Sequence, residues 1–160
     1  HGHSNEHASL HSPATRVLIS GDMLLPRIST NVSVWPYDPD GDPLGRFLRS
    51  LAAFETLPAD TLVLPSHGLP FRGIAPRVAA LRAHHEERLA ELVAAIAGAP
   101  APVSAADVVP VLFRRPLDVQ QRFFAMGEAL AHLNHLWREG RIRRLRSTSG
   151  AFRFAVDRAA

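Results

Sequence analysis

Apolar residues recur in two rhythms along this chain of 160 residues: short continuous runs in the first third, helical spacing afterwards. Arg16-Val17-Leu18-Ile19-Ser20 is a β-rich run closed by Gly21-Asp22, the pattern of a strand that ends at a functional loop. Ala8 to His11 is a weaker strand candidate before it, with Ser12-Pro13 as the turn. After Asp22 comes an irregular stretch with Pro26, Pro36, Pro39 and Pro43, and loops of that length tend to carry function or wrap something. Asp42-Pro43 predicts an N-cap and a first helical residue. Leu44, Phe47, Leu48, Leu51 and Phe54 then give one apolar helix face. Thr61 to Leu64 predicts a short buried strand that runs straight into Pro65-Ser66-His67-Gly68.

The second half has a different rhythm. A long helix is predicted from Pro76 to Ala97, with Val78, Leu81, Leu89, Leu92, Val93 and Ile96 on one side, ended by Gly98 and Pro100. Ser104-x-x-Asp107 is a capping-box start to a short helix through Phe113. Asp118 opens a longer helix in which Met126, Leu130, Leu133 and Trp137 recur, with Gly140 at its end. Arg141–Arg146, a Ser-Thr-Ser-Gly turn and Ala151–Val156 predict a β-hairpin. Helix, helix, helix, hairpin is the order of a winged-helix module. The expected organisation is α/β over residues 1–83 and a mostly helical, winged-helix-like unit over 84–160.

Composition narrows the function classes. Hydrophobic residues at 46% and charged residues at 21% suit a globular chain and are too apolar for a disordered one. No apolar run approaches the roughly 18–20 residues of a membrane helix. Cysteine is absent, which excludes disulfides, thiolate metal sites and cysteine nucleophiles. All 18 basic residues are arginine, against 15 acids, and a net charge of +3 permits nucleic-acid contact without arguing for it. The start, His-Gly-His, has neither the basic nor the apolar region of a signal peptide, so a cytoplasmic location is expected. The missing Met points to processing or to part of a longer polypeptide, and arginine and alanine richness to a high-GC bacterial source.

The candidate chemistry lies in the histidines and one aspartate. Nine histidines are present, and His1, His3, His7 and His11 crowd the start. His67 and Asp22 each follow a strand, where imidazole nitrogen and carboxylate oxygen can be held rigidly for a borderline divalent metal. Gly2-His3-Ser4-x-x-His7, Ile19-Ser20-Gly21-Asp22 and Leu64-Pro65-Ser66-His67-Gly68 resemble, in order and spacing, the later motifs of the metallo-β-lactamase-fold hydrolases. Asn31-Val32-Ser33-Val34-Trp35-Pro36 and Asp42-Pro43-Leu44-Gly45 are similar to a bacterial branch of that superfamily. His84-His85-Glu86-Glu87-Arg88 and Ala129 to Leu136 resemble the winged-helix extension of some members, among them thioesterase-like hydrolases and single-strand endoribonucleases.

The resemblance implies an αβ/βα sandwich, of which this chain is the second half plus the extension. It makes His3 a ligand of one metal, His67 a ligand of the other, and Asp22 the carboxylate that bridges both and on which catalysis depends. His7 lies near that site, and Arg27, Tyr37 and Arg72, in loops beside the motifs, are further candidates for substrate binding. The implied cofactor is zinc, two ions per complete site, with hydrolysis of a small-molecule ester or thioester; RNA cleavage is the alternative. The superfamily's His-x-His-x-Asp-His motif is absent. A C-terminal fragment is therefore expected, weak in metal binding and inactive alone. A natural half-domain would expose an apolar sheet face and favour a homo-oligomer.

Other readings fare less well. Arg138, Arg141, Arg143, Arg144, Arg146 and Arg153 cluster at the proposed wing, but the would-be recognition helix holds few basic residues. Nucleic acid is thus an alternative partner and not the favoured one. Asp38-x-Asp40-x-Asp42 imitates a calcium loop, yet Pro43 and Arg49 stand where glycine and glutamate are needed. A free amine at His1 would form a square-planar copper or nickel chelate with His3. Ser20 and Ser66 lack a nucleophile-elbow pattern.

Overall fold

The computed structural model describes residues 1–157, and the β-rich runs of the first third assemble into one small sheet. β1 (Leu10–Ser12) pairs antiparallel with β2 (Val17–Gly21), Leu10 opposite Ile19, and β3 (Leu62–Pro65) pairs parallel on the other side of β2, Val17 opposite Leu62. Alternation decides the faces: Leu18 and Val63 are buried, whereas Leu10 and Ile19 are 65% and 50% exposed. Because β2 and β3 are parallel, the loops that follow them leave from the same sheet edge. Near that edge the register slips between Ile19 and Gly21, so Ser20 is an extra residue that re-aims what comes next.

The helices form where the caps predict. Asp42 accepts the Gly45 N–H at 2.8 Å and starts α1 (Pro43–Ser50). The helix expected to run on to Phe54 pauses at Leu51 and resumes as α2 (Ala52–Glu55), and both Leu51 and Phe54 remain buried. α3 (Ile74–Gly98) buries Ile74, Val78, Leu81, His85, Leu89, Leu92 and Ile96 at intervals of three and four, so a histidine fills one position of an otherwise apolar stripe. Residue 83, the expected boundary, lies inside this helix, and one core cluster runs from Leu18 to Phe154 across it.

α4 (Ala105–Leu112) and α5 (Val119–Arg138) each begin with a complete capping box, Ser104 with Asp107 and Asp118 with Gln121. The buried face of α5 differs from the expected one. Ala125, Ala129, His132, Leu133 and Leu136 face the core, and Met126, Leu130 and Trp137 are only half-buried. Small alanines let the helix approach its neighbours closely, and the bulkier residues turn towards the loop after β2 and the C-terminal hairpin. That hairpin is β4 (Arg143–Arg146) and β5 (Phe152–Ala155), with Phe154 fully buried and paired to Val103. No helix among the described residues is long and apolar enough to cross a membrane.

Candidate metal centre

Three side chains meet at the edge where β2 and β3 end. Asp22 lies between two imidazoles: one carboxylate oxygen is 3.2 Å from His3 Nε2 and the other is 3.4 Å from His67 Nε2. His3 and Asp22 are about a third exposed, and His67 is 67% exposed. The Ser66 hydroxyl donates to Asp22 Oδ1 at 2.7 Å, and the Thr30 hydroxyl donates to the Asp22 carbonyl. The carboxylate is thus held from the side of β3 and its main chain from the loop that follows.

The backbone sets these directions. Gly21 has φ +56°, and a Cβ there would stand 2.5 Å from His7 Nε2. His7 Nε2 accepts the Asp22 N–H at 3.3 Å, which places the proton on Nδ1. Burial, followed by the neighbouring His3, holds the His7 imidazole below its usual range. His7 therefore supports the turn that carries Asp22.

A second layer of contacts reaches α5. His3 Nδ1 donates to the Asn31 carbonyl oxygen at 2.9 Å, which orients the ring with Nε2 towards Asp22. The Asn31 amide donates to Glu128 at 3.0 Å and its oxygen accepts from the Ser33 hydroxyl at 2.8 Å. Burial pushes the Glu128 carboxyl up to about 7, against the bond from Asn31. Asn134, Arg138 and His135 hold the rest of the loop, bonding Pro39, Gly41, Asp40 and Asp42. The long irregular stretch after β2 is thereby moulded onto one helix.

The remaining candidates divide. Tyr37 borders the groove beside His3, and Arg27 borders the groove beside His67. Arg72 follows Phe71, which pairs with Val63 in β3, and lines neither groove. Asn31 and Glu128 were not singled out from sequence, and Ser66 was weighed there only as a nucleophile. Asn31 and Ser66 stand inside the Asn31–Pro36 and Leu64–Gly68 motifs, whereas Glu128 carries no local signal.

The donor set suits a borderline divalent cation: two imidazoles with Nε2 turned to a carboxylate whose two oxygens face different imidazoles. It is incomplete as a cage, for no three His, Asp or Glu side chains among the described residues close around a single point.

Residues 1–67 match the family model of the metallo-beta-lactamase superfamily, and residues 89–157 match that of the metallo-beta-lactamase-like, C-terminal domain. A beta-lactamase domain protein from Burkholderia ambifaria is 56% identical, with a TM-score of 0.91 over 98% of this chain. This chain belongs to the metallo-β-lactamase superfamily. A metallo-beta-lactamase family protein from Thermus thermophilus is 33% identical over 98% of this chain, with a TM-score of 0.80. No curated protein matches. The chain spans 46% and 47% of the lengths of those two structures, about half of each. As a metallo-β-lactamase chain it falls in a superfamily generally of hydrolases that bind metal ions, often zinc, and its mixed α/β architecture is part of that fold.

Proposed function

We propose that this chain carries half of a dinuclear zinc site for the hydrolysis of a small-molecule ester or thioester. The observation that supports it is Asp22 standing between His3 and His67 with one oxygen towards each. Two four-coordinate ions offer about eight ligand positions. A bridging Asp22 and two imidazoles would fill about four, so the remainder must come from outside this chain, which alone would be weak in metal and inactive. Bound zinc would supply an acidified water near neutral pH and polarisation of the scissile carbonyl. Of the chain's own residues, His3, Asp22 and His67 bind, Ser66 fixes the carboxylate, and Arg27 and Tyr37 flank the substrate.

The arginine distribution supports a small molecule over RNA as substrate. Arg141 pairs with Glu86 at 3.1 Å, Arg144 with Asp40 at 2.8 Å and Arg153 with Asp107 at 3.5 Å, while Arg143 pairs with Asp157. Arg144 also lies 3.6 Å over the Trp137 ring and 4.1 Å over Phe152. These four wing side chains are engaged in packing and ion pairs, which weakens the wing as a phosphate-binding surface. The exposed Leu10 and Ile19 favour a covering partner, in our reading a second copy or the rest of a longer chain in the cytoplasm.

Elemental analysis of metal tests this reading, on this chain and on the product of its complete reading frame. About two zinc ions in the longer product, little in this chain and loss of metal and turnover in Asp22→Ala are expected. Unchanged turnover in Asp22→Ala would overturn it.

A further inference from the structure

One cavity lies beside the ligand cluster and takes no part in it. Trp35 and Pro36 of the loop, Phe123, Met126 and Leu130 of α5, and Phe152 of β5 line a half-open cavity of about 200 Å³. The fold creates this space by a close approach followed by a separation. At Gly127 the loop lies directly on the helix: an added Cβ would stand 2.8 Å from Ser33 Cβ, and the Val34 N–H donates to the Gly127 carbonyl at 3.0 Å. On either side of that glycine, bulky side chains hold the loop away, and the Trp35 and Phe123 rings stand 6.0 Å apart.

The lining chooses the ligand class. The Ser33 hydroxyl already donates to Asn31, so apart from the Trp35 indole N–H the lining side chains offer an occupant apolar surface. Covering an apolar ring or chain with such a lining is favourable in proportion to the apolar area removed from water. Position adds the second argument: Ser33, Val34 and Trp35 also line the groove that contains His3 and Tyr37. The two spaces share that wall, so one substrate can seat an apolar group here and place its carbonyl on the His3 side. We propose that the cavity takes the acyl group of the substrate, a short aliphatic chain or a single ring, and sets acyl-length specificity. This rests on the hydrolase reading above.

Two measurements separate this proposal from that reading. Met126 and Met23 are the two methionines of the chain, and Met23 is buried in the core cluster. In a chain labelled with 13C at the methionine methyls, benzene should shift the Met126 signal saturably and leave Met23 in place. Leu130→Trp, which fills the cavity, should remove the response; Phe123→Ala, at a 59% exposed position, should weaken it without threatening the fold. In the complete reading-frame product, acetyl, hexanoyl and benzoyl thioesters of one thiol are then compared. Both variants should lower the benzoyl-to-acetyl ratio of kcat/KM, Leu130→Trp by about tenfold. A Met126 signal indifferent to benzene overturns the proposal, as does an acyl profile unchanged in both variants. A signal that moves with protein concentration alone also overturns it, since a second copy then covers the cavity. Benzene binding without thioester turnover defeats the hydrolase reading and the acyl assignment, and leaves an apolar-ligand site.

Discussion

The Asn31 carbonyl oxygen accepts the Nδ1 proton of His3 at 2.9 Å, across 28 residues of chain. That bond orients the ring and fixes its tautomer, and the Asn31 side chain is in turn held by Glu128 and Ser33. Asn31→Ala keeps the carbonyl but releases the loop that carries it. Zinc affinity of the complete reading-frame product should fall about 10- to 100-fold, read by competition with a chromophoric chelator. Parent-like affinity would remove Asn31 from the support of the site.

Gly2 precedes His3 with φ +111°, and a Cβ there would stand 2.4 Å from Phe47 Cβ. Gly2→Ala should therefore cost about 2 kcal/mol or more, through backbone strain and overpacking against α1. Gly98→Ala is the control, because an added Cβ meets nothing within 4 Å. It should be neutral or gain up to about 1 kcal/mol. Equal midpoints for the two variants in urea unfolding would show that the Gly2 turn yields freely.

Asp42 serves two partners at once, the Gly45 N–H at 2.8 Å and His135 Nδ1 at 3.0 Å. Burial works to raise its carboxyl, but these bonds, with the charges of His135 and Arg49, outweigh it and hold the group below its ordinary value. Its stabilising contribution is present above the unfolded carboxylate range and is lost as pH falls through the lower folded value. Asp42→Ala should destabilise by about 1–2 kcal/mol at neutral pH, and Asp42→Asn, which still caps α1, by less. Equal losses in thermal unfolding would contradict the capping role.

His85 and His132 form a buried imidazole pair, Nδ1 to Nε2 at 3.3 Å. His132 Nδ1 donates to the Glu128 carbonyl, so its Nε2 accepts from His85. His85 Nε2 is left buried without a partner among the described residues. Burial, reinforced by the mutual repulsion of the cluster, lowers His85 to about 3; burial likewise lowers His132 to about 4, against its bond to Glu128. Both stay neutral in the fold while unfolded histidine protonates near 6.5. Stability from the pair is complete above that value and is lost as pH falls towards 4, by about 1.4 kcal/mol per pH unit for each imidazole. Glu128, raised to about 7, acts oppositely: its contribution is present at low pH and lost as pH rises through 7. A His85→Leu/His132→Leu variant should flatten the acid side of the profile relative to the parent in denaturant titrations from pH 7.5 to 5. Parallel profiles would refute the assignment.

Local chemistry was legible in the linear chain. Asp42-Pro43, Ser104-x-x-Asp107 and Asp118 mark helix starts because a cap is satisfied by a backbone N–H within three residues. Asp22 and His67 could be placed after strands for the same short-range reason. Other features depend on contacts between distant segments. The meeting of His3, Asp22 and His67 depends on a parallel pairing across 45 residues and on the extra Ser20 in its register. The core face of α5 went to alanines and His132 because close helix packing outweighed the hydrophobicity of Met126, Leu130 and Trp137. The link from Glu128 to Asn31 joins positions 97 apart, with no trace in local spacing. Caps, breaks and amphipathic periods belong to the sequence because their interactions close within a few residues. The ligand cluster, its supports and the apolar cavity were decided by tertiary structure, because each exists only when chain-distant segments are packed into the same place.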